Sequence, residues 1–316
     1  MNERQYSTRI YDRDNNLIQI LALDNGLRRE YTEFSDIPNE LIDAIIKAED
    51  QHFFNHIGID FGSIFRATAQ NVSNKTTISG ASTITMQLAR IISPSPNRNI
   101  FAKIKETINA LRLELRFSKD EILELYLNNL PFGFNTEGLT SAAKTFFGKE
   151  LISLTKEEIY SLAVIPRRPQ SYNPLTNPEK CAERASEVFE YPKEKILSAT
   201  KNAKQFKYPF LMPHYIQFLI DNEAENQIGI YQKEDIILSA SLDVQLLAEE
   251  LLSKELEKYR DNRISNGAIL VTDTQTGQIL AWVGSGDFAN ESAKGQIDGV
   301  LAENQPGSSM KPFLYA

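Results

Sequence analysis

Glu49 and Asp50 stand side by side in the segment AEDQHFFNHIGID, with His52, His56 and Asp60 close behind. Five titratable groups so near one another can move a proton and hold a polar substrate, and a carboxylate at the end of an apolar helix suits the wall of a cleft. An exposed helix end with a solvated acid pair has the same spacing, and spacing alone slightly favours that reading. Farther on, SGASTITMQLAR places small and hydroxyl residues, Ser82 and Thr83 among them, ahead of Gln87 and Arg90. Backbone amides and hydroxyls in such a run can cradle phosphate oxygens, with Gln and Arg as further donors. A plain Ser/Thr-rich loop reads identically. The next segment, NRNIFAKIKETINALRLEL, sets Arg98, Lys103, Lys105 and Glu106 around a helix start. Lys103 and Glu106 lie three apart on one face, as a surface ion pair also would. Each segment is weak alone, and their order carries the weight.

Elements must hold these groups in place. Leu41, Ile42, Ile45, Ile46 and Ala48 share a helical face that runs into Glu49, with Asp36 as N-cap and Pro38 in the first turn. Helical periodicity returns over residues 104–117, over 119–128 with Ser118 as cap, and over 155–163 before Pro166. No convincing strand occurs between the opening segment and about residue 200, so this region reads as mainly α. The opening, residues 6–23, alternates and meets a turn at Asp24, Asn25 and Gly26, which predicts a hairpin serving as a pedestal. After residue 235 the character changes: a strand at 236–238, an amphipathic helix over 242–259, and strands 267–271 and 278–283 joined by a turn containing Gly277. The expected organisation is a pedestal at 1–35, a helical domain at 36–204, a linker at 205–234, and the start of an α/β (α+β) unit at 235–316.

The 316 residues are 41% hydrophobic and 24% charged, enough to bury a core and unlike a disordered chain. A formal net charge of −8 excludes a general nucleic-acid binder, which needs a basic face. The one cysteine, Cys181, rules out an internal disulfide and reads as a buried inert thiol. No stretch reaches the roughly 18 to 20 apolar residues that cross a bilayer, and the start MNERQYSTRIYDRD has no signal-peptide core; an anchor removed upstream would leave the same trace.

In order along the chain, EDxxFxxHxGID at 49–60, GxSTITxQLAR at 80–90, the segment 103–114, ILELYLNxxPFG at 122–133, AAKTFFGK at 142–149 and PRRPQSYNP at 166–174 resemble the glycosyltransferase domain of class A penicillin-binding proteins, glycosyltransferase family 51. Met86, where many relatives carry a second Gln, and LPFGFNTEG at 130–138 are most similar to the 1C type. The resemblance implies a lysozyme-like helical domain that polymerises lipid II into glycan strands. By it, Glu49 matches the general base for the sugar 4-hydroxyl, and Glu106 the second carboxylate that orients basic residues and sugar. Asp50, Ser82, Thr83, Gln87, Arg90, Arg98 and Lys103 would bind substrate or pyrophosphate, and Phe53 and His56 would organise the motif by packing. Ala102 departs from the pattern, standing where many relatives have a basic residue. No cofactor is required; a divalent cation, Mg or Mn, could assist at the pyrophosphate, though no ligand cluster demands one.

The pattern Ser-x-x-Lys at Ser308 and Lys311 carries little by itself, since the chain repeats it at Ser141/Lys144, Ser153/Lys156 and Ser198/Lys201. Its setting, GQIDGVLAENQPGSSMKPFLYA after ILVTDTQTGQILAWVG, resembles the approach to the active serine of a penicillin-binding transpeptidase. The Ser-x-Asn and Lys-Thr-Gly elements of such a site do not follow within this sequence, so the transpeptidase unit is expected to be incomplete and β-lactams to bind only a completed one. The expected partners are lipid II, the growing strand and a membrane surface, at the extracytoplasmic face of a bacterial plasma membrane. Two rivals remain: a glycan-cleaving enzyme with one catalytic glutamate, against which Arg90, Arg98 and Lys103 speak, and a noncatalytic cell-wall scaffold.

Overall fold

A computed structural model of the chain describes residues 4–23, 25–62, 82–95, 97, 99–204, 206–222, 235–262, 264–303 and 305–315. Two compact units form: Met1–Ser7 with Ala22–Lys207, and Thr8–Leu21 with Tyr208–Ala316.

The first unit is mainly helical. Ser118 and Thr155 each start a helix with a complete capping box, Lys119–Asn129 with Glu121 and Lys156–Val164 with Glu158. Lys119–Asn129 buries Ile122, Leu123, Tyr126 and Leu127. Each fully buried large side chain stabilises the fold by on the order of 2 kcal/mol relative to exposure. The helix Asn39–Glu49 buries Leu41, Ile42, Ala44 and Ile45 against the same core. Its start differs from the expected Asp36 cap: Asp36 lies in a 3-10 turn, Phe34–Asp36, and Pro38 takes the N-cap position. Proline lacks an N–H and fixes φ, so a helix readily begins just after it. Ile100–Glu114 begins four residues before the expected 104 because the Asn99 side chain accepts from Ala102 N at 2.8 Å.

Four further helices of this unit, Ile84–Ile92, Leu139–Phe147, Pro178–Phe189 and Lys193–Lys201, were not predicted from periodicity. Leu139–Phe147 buries all but its last residue, including Thr140, Ser141, Lys144 and Thr145 on its polar side. It follows Gly138, whose φ is +81° and whose missing Cβ would sit 2.9 Å from the Asn128 carbonyl oxygen. Only glycine fits that approach. Two short strands, Pro131–Gly133 and Thr136–Glu137, pair antiparallel in the region expected to be free of strands.

The second unit differs from the expected organisation at both of its seams. The opening hairpin is real, but its strands are Arg9–Tyr11 and Leu17–Ile20, turning before Asn16 instead of at Gly26. Arg9–Tyr11 also pairs in parallel with Ile236–Ile237, Ile10 beside Ile236. The hairpin therefore belongs to the second unit and is no pedestal of the first. Within the expected linker, Pro213–Asp221 is a helix that buries His214, Tyr215, Ile216 and Leu219, and Trp282 stacks on Tyr215 and Phe218 with centroids 5.5 and 4.7 Å away. Strands Ile269–Thr272 and Ile279–Val283 pair antiparallel as expected, under the helix Leu242–Lys258.

Asp12 ties this unit together. Its carboxylate accepts from the backbone N–H groups of Asp14, Asn16 and Leu242, at 2.9, 2.7 and 2.8 Å, and from the Asn16 amide at 3.1 Å. Burial pushes its pKa up, but the hydrogen bonds from Leu242 and Asn16 outweigh this and hold it below the ordinary value. Asp12→Ala is expected to cost about 1–3 kcal/mol, read as a lower urea midpoint of Trp282 fluorescence, Trp282 being the only tryptophan. Because the folded pKa is depressed, this stabilisation is present above the unfolded pKa and lost as pH falls through the folded one. The parent–variant difference should shrink accordingly, and a pH-independent difference would overturn the assignment.

Candidate active site

The helix Asn39–Glu49 ends on Glu49, and this end forms one wall of a cleft of about 410 Å³. Lys47, Glu49, Asp50, His52, Asp60, Ser82, Thr83, Arg184, Glu187 and Glu190 are among its lining residues. The Gln87 amide donates to Glu49 Oε2 at 2.9 Å. Gln87 is itself fixed from behind, since the fully buried Tyr126 donates its hydroxyl to Gln87 Oε1 at 3.2 Å. Glu49 Oε1 is buried with no hydrogen-bond partner among the described residues. Burial raises the Glu49 pKa, opposed by the Gln87 hydrogen bond and by the charges of Arg167, Arg184 and Arg90. A carboxylate so placed is a stronger base than one in water, held in one orientation with one oxygen uncommitted.

Asp50, the next residue, does different work. It is buried, accepts from Ile84 N at 2.9 Å at the start of helix Ile84–Ile92, and meets His56 Nε2 at 3.0 Å. The Gly58 N–H donates to His56 Nδ1 at 3.1 Å, which places the ring proton on Nε2, pointing at Asp50. The anionic cap favours the positive helix end. Asp50 and His56 thus lock the Glu49 wall onto the helix that carries Gln87. Phe53 lies under this lock, completely buried, edge-on to His56 at 6.2 Å and beneath the Lys119 ammonium at 4.3 Å. Gly58 has a φ of +85°, and a Cβ there would meet Glu114 Cγ at 2.9 Å.

The hydroxyls expected to meet phosphate are placed unequally. Thr83 caps the helix Ile84–Ile92: it accepts from Met86 N at 3.1 Å and donates to Gly58 O at 2.7 Å, so its hydroxyl is committed to the fold. Ser82 accepts from Lys103 Nζ at 2.8 Å, and Lys103 also pairs with Glu106 at 3.0 Å. Glu106 is therefore the anchor of Lys103, and Ser82 connects that pair to the cleft. Arg90 makes no hydrogen bond or ion pair among the described residues, and its charge acts on Glu49. Arg98 lies outside the described residues. The structure thus gathers Glu49, Asp50, Ser82, Thr83, Gln87, Arg90, Lys103 and Glu106 in the first unit. Ser308 and Lys311 belong to the second unit, exposed, in the turn Gly307–Met310 and at the start of Lys311–Tyr315. Among the described residues no three His, Cys, Asp or Glu side chains group so as to hold a metal ion.

Three residues escaped the sequence reading. Tyr126 stands in ILELYLNxxPFG at 122–133 and Arg167 in PRRPQSYNP at 166–174, two motifs to which no site residue was assigned. Arg184 rides on Pro178–Phe189, a helix signalled only by Pro178 at its start and by the spacing of Cys181, Ala182, Ala185 and Phe189.

Gln87→Leu removes the hydrogen bond that holds the Glu49 pKa down while burial stays. The acidic limb of kcat/KM against pH is then expected to move to higher pH. An unmoved limb would show that Gln87 does not tune Glu49.

A family model described as Transglycosylase matches residues 14–193. The chain is 31% identical over 293 residues to penicillin-binding protein 1C of Escherichia coli (strain K12), covering 92% of this chain and 38% of that protein. It is 38% identical over 301 residues to penicillin-binding protein 1A of Pseudomonas aeruginosa, covering 95% of this chain and 33% of the relative. Penicillin-binding protein 1F of Bacillus subtilis (strain 168) is 30% identical over 326 residues, covering 97% of this chain and 44% of the relative. The chain spans less than half the length of these relatives.

Proposed function

The chain belongs to the transglycosylase family, and from that premise we propose that its first unit is a peptidoglycan glycosyltransferase that extends glycan strands from lipid II, with Glu49 as general base. One observation carries the mechanism: a carboxylate lining a cleft, one oxygen held by Gln87 and the other buried without a partner among the described residues.

In this reading Glu49 Oε1 accepts the proton of the acceptor sugar's 4-hydroxyl. The oxygen lone pair attacks the anomeric carbon of the growing chain from the face opposite the leaving group. The bond from that carbon to the lipid pyrophosphate breaks as the new glycosidic bond forms, the pyrophosphate departs with the electron pair, and the configuration inverts. The leaving group already carries its charge, so neutralisation matters more than protonation. Arg90, Arg167 and Arg184, whose charges reach Glu49, and Lys103, held by Ser82 and Glu106, supply that positive field.

A glycan hydrolase is the weaker reading. Hydrolysis of a neutral glycosidic bond has no pyrophosphate to neutralise, whereas three guanidinium charges act on Glu49. A scaffold is weaker again, since a buried carboxylate oxygen left unpaired destabilises a fold that makes no use of it. No helix among the described residues is long and apolar enough to cross a membrane. A lipid-linked substrate would nonetheless place the reaction at a membrane surface, in this reading the extracytoplasmic face. The test is incubation of the chain with labelled lipid II in detergent, with products resolved by length beside the Glu49→Gln variant. Strands from the parent alone support the reading, and no strands from either protein would overturn it.

A further inference from the structure

The helix Asn39–Glu49 also lines a second groove. Glu40, Asp43, Ala44 and Lys47 fall at the i, i+3, i+4, i+7 spacing of one helical stripe. They form one wall of a cavity of about 230 Å³ whose other wall is Lys156, Ile159 and Tyr160 of the helix Lys156–Val164, with Phe189 at its base. Tyr160 and Phe189 stack in parallel with centroids 4.0 Å apart. Lys47 lies over the Phe189 ring at 5.6 Å and Lys156 over Tyr160 at 5.7 Å. Lys47 also lines the catalytic cleft, so the groove and the cleft share a wall residue.

The four charged residues of this groove are exposed. Two acids and two lysines line one cavity, yet none of the four makes an ion pair or hydrogen bond with a described side chain; the lysines rest on aromatic faces instead. A rigid aromatic floor with both signs of charge held apart suits a ligand that itself carries both signs. From Lys47 to Glu40 the helix rises seven residues, about 10 Å at 1.5 Å per residue. That is the reach of roughly three extended peptide residues.

We propose that this groove receives the peptide carried by the lipid-linked substrate, with Lys47 and Lys156 meeting its carboxylates and Asp43 and Glu40 its amine. The proposal rests on the reading of the first unit as a lipid II polymerase and extends it by a peptide subsite outside the catalytic cleft. Shared use of Lys47 gives the geometry: a disaccharide bound at Glu49 would leave its peptide to run along the same helix toward Glu40.

The experiment compares the parent with the Glu40→Gln/Asp43→Asn double variant on two substrates, lipid II with its whole peptide and the same lipid-linked disaccharide without peptide. The parent is expected to show a lower KM for the peptide-bearing substrate. In the double variant the ratio of the two KM values is expected to fall toward one, by about threefold to tenfold for two lost partly exposed charge contacts. A ratio unchanged from the parent would overturn the proposal. A second readout is independent of catalysis: titration of a soluble muramyl pentapeptide bearing carboxylates and one free amine, followed by protein NMR shifts. Shifts confined to residues of the groove and weakened in the double variant support the subsite; no shifts there would refute it. If neither substrate is polymerised but the peptide still binds the groove, the polymerase reading fails and the subsite stands.

Discussion

Replacing Glu49 by Gln is expected to lower the polymerisation rate by about 10²–10⁴-fold, the usual contribution of a positioned general base, while making the protein more stable at neutral pH. The two effects have one cause. Burial raises the Glu49 pKa in the folded chain above its unfolded value, so the unfolded state gives up its proton at lower pH than the folded state does. Stability is therefore lost as pH rises through the window between the two values, and the cost is fully absent below the unfolded pKa. Gln keeps the shape and can still accept from the Gln87 amide, but it has no charge to desolvate. Thermal unfolding at pH 7.5 should show the variant melting above the parent, and the gap should close as pH is lowered past the ordinary carboxylate range. A variant melting below the parent at pH 7.5 would mean that the charge of Glu49 is satisfied, and the base assignment would lose its physical ground. Stability sacrificed at a reacting group is the common trade between folding and function.

The second large effect lies outside the Glu49 cleft. Lys144 reaches Glu30 Oε2 at 2.6 Å with both side chains almost wholly buried, 5% and 0% exposed. Burial pushes the Lys144 pKa down, but the Glu30 charge and hydrogen bond outweigh it, so the ammonium is held. Ser141 completes the arrangement by accepting from Glu30 N at 2.9 Å. Lys144→Met would leave the Glu30 charge buried with only the Ser141 hydroxyl on it and no counter-ion, at a cost of about 3–5 kcal/mol. The measurement is the urea midpoint by far-ultraviolet circular dichroism, which follows the helices of the first unit. The double variant Glu30→Leu/Lys144→Met should recover much of the loss, because an apolar pair has no charge to strand. If both variants lose equally, packing and not charge pairing is what Lys144 provides. This pair also disposes of one Ser-x-x-Lys pattern: Ser141 and Lys144 are built into the core.

Much of the first unit can be read from local chemistry. The boxes at Ser118/Glu121 and Thr155/Glu158 begin helices because side chain and backbone amides lie within three residues of each other. The turn before Gln278 forms around Gly277, whose φ is +72°. The order of the six motifs also lay in the sequence, and with it, through resemblance to a family, the expectation that Glu49 acts as the base. Periodicity, however, says only that a face is apolar, never what covers it. The opening hairpin alternates well enough, yet its partner is Ile236–Ile237, with Arg9 reaching Asp235 across 226 positions at 2.7 Å. No local signal carries that pairing.

The functional site divides in the same way. Residue types determined that a base, hydroxyls and cations were present; the tertiary structure decided which were already in use. Thr83 and Ser82 are adjacent and chemically alike, but Thr83 is committed to Gly58 and Met86 while Ser82 holds Lys103. Gln87 comes within reach of Glu49 across 38 positions, and Tyr126 within reach of Gln87 across 39. Sequence fixes the donors and acceptors that a chain owns. Only packing brings them within 3 Å or strips the water from one carboxylate oxygen, because hydrogen bonding and desolvation are set by distance and neighbours in space, and the helices that supply those neighbours are far apart along the chain.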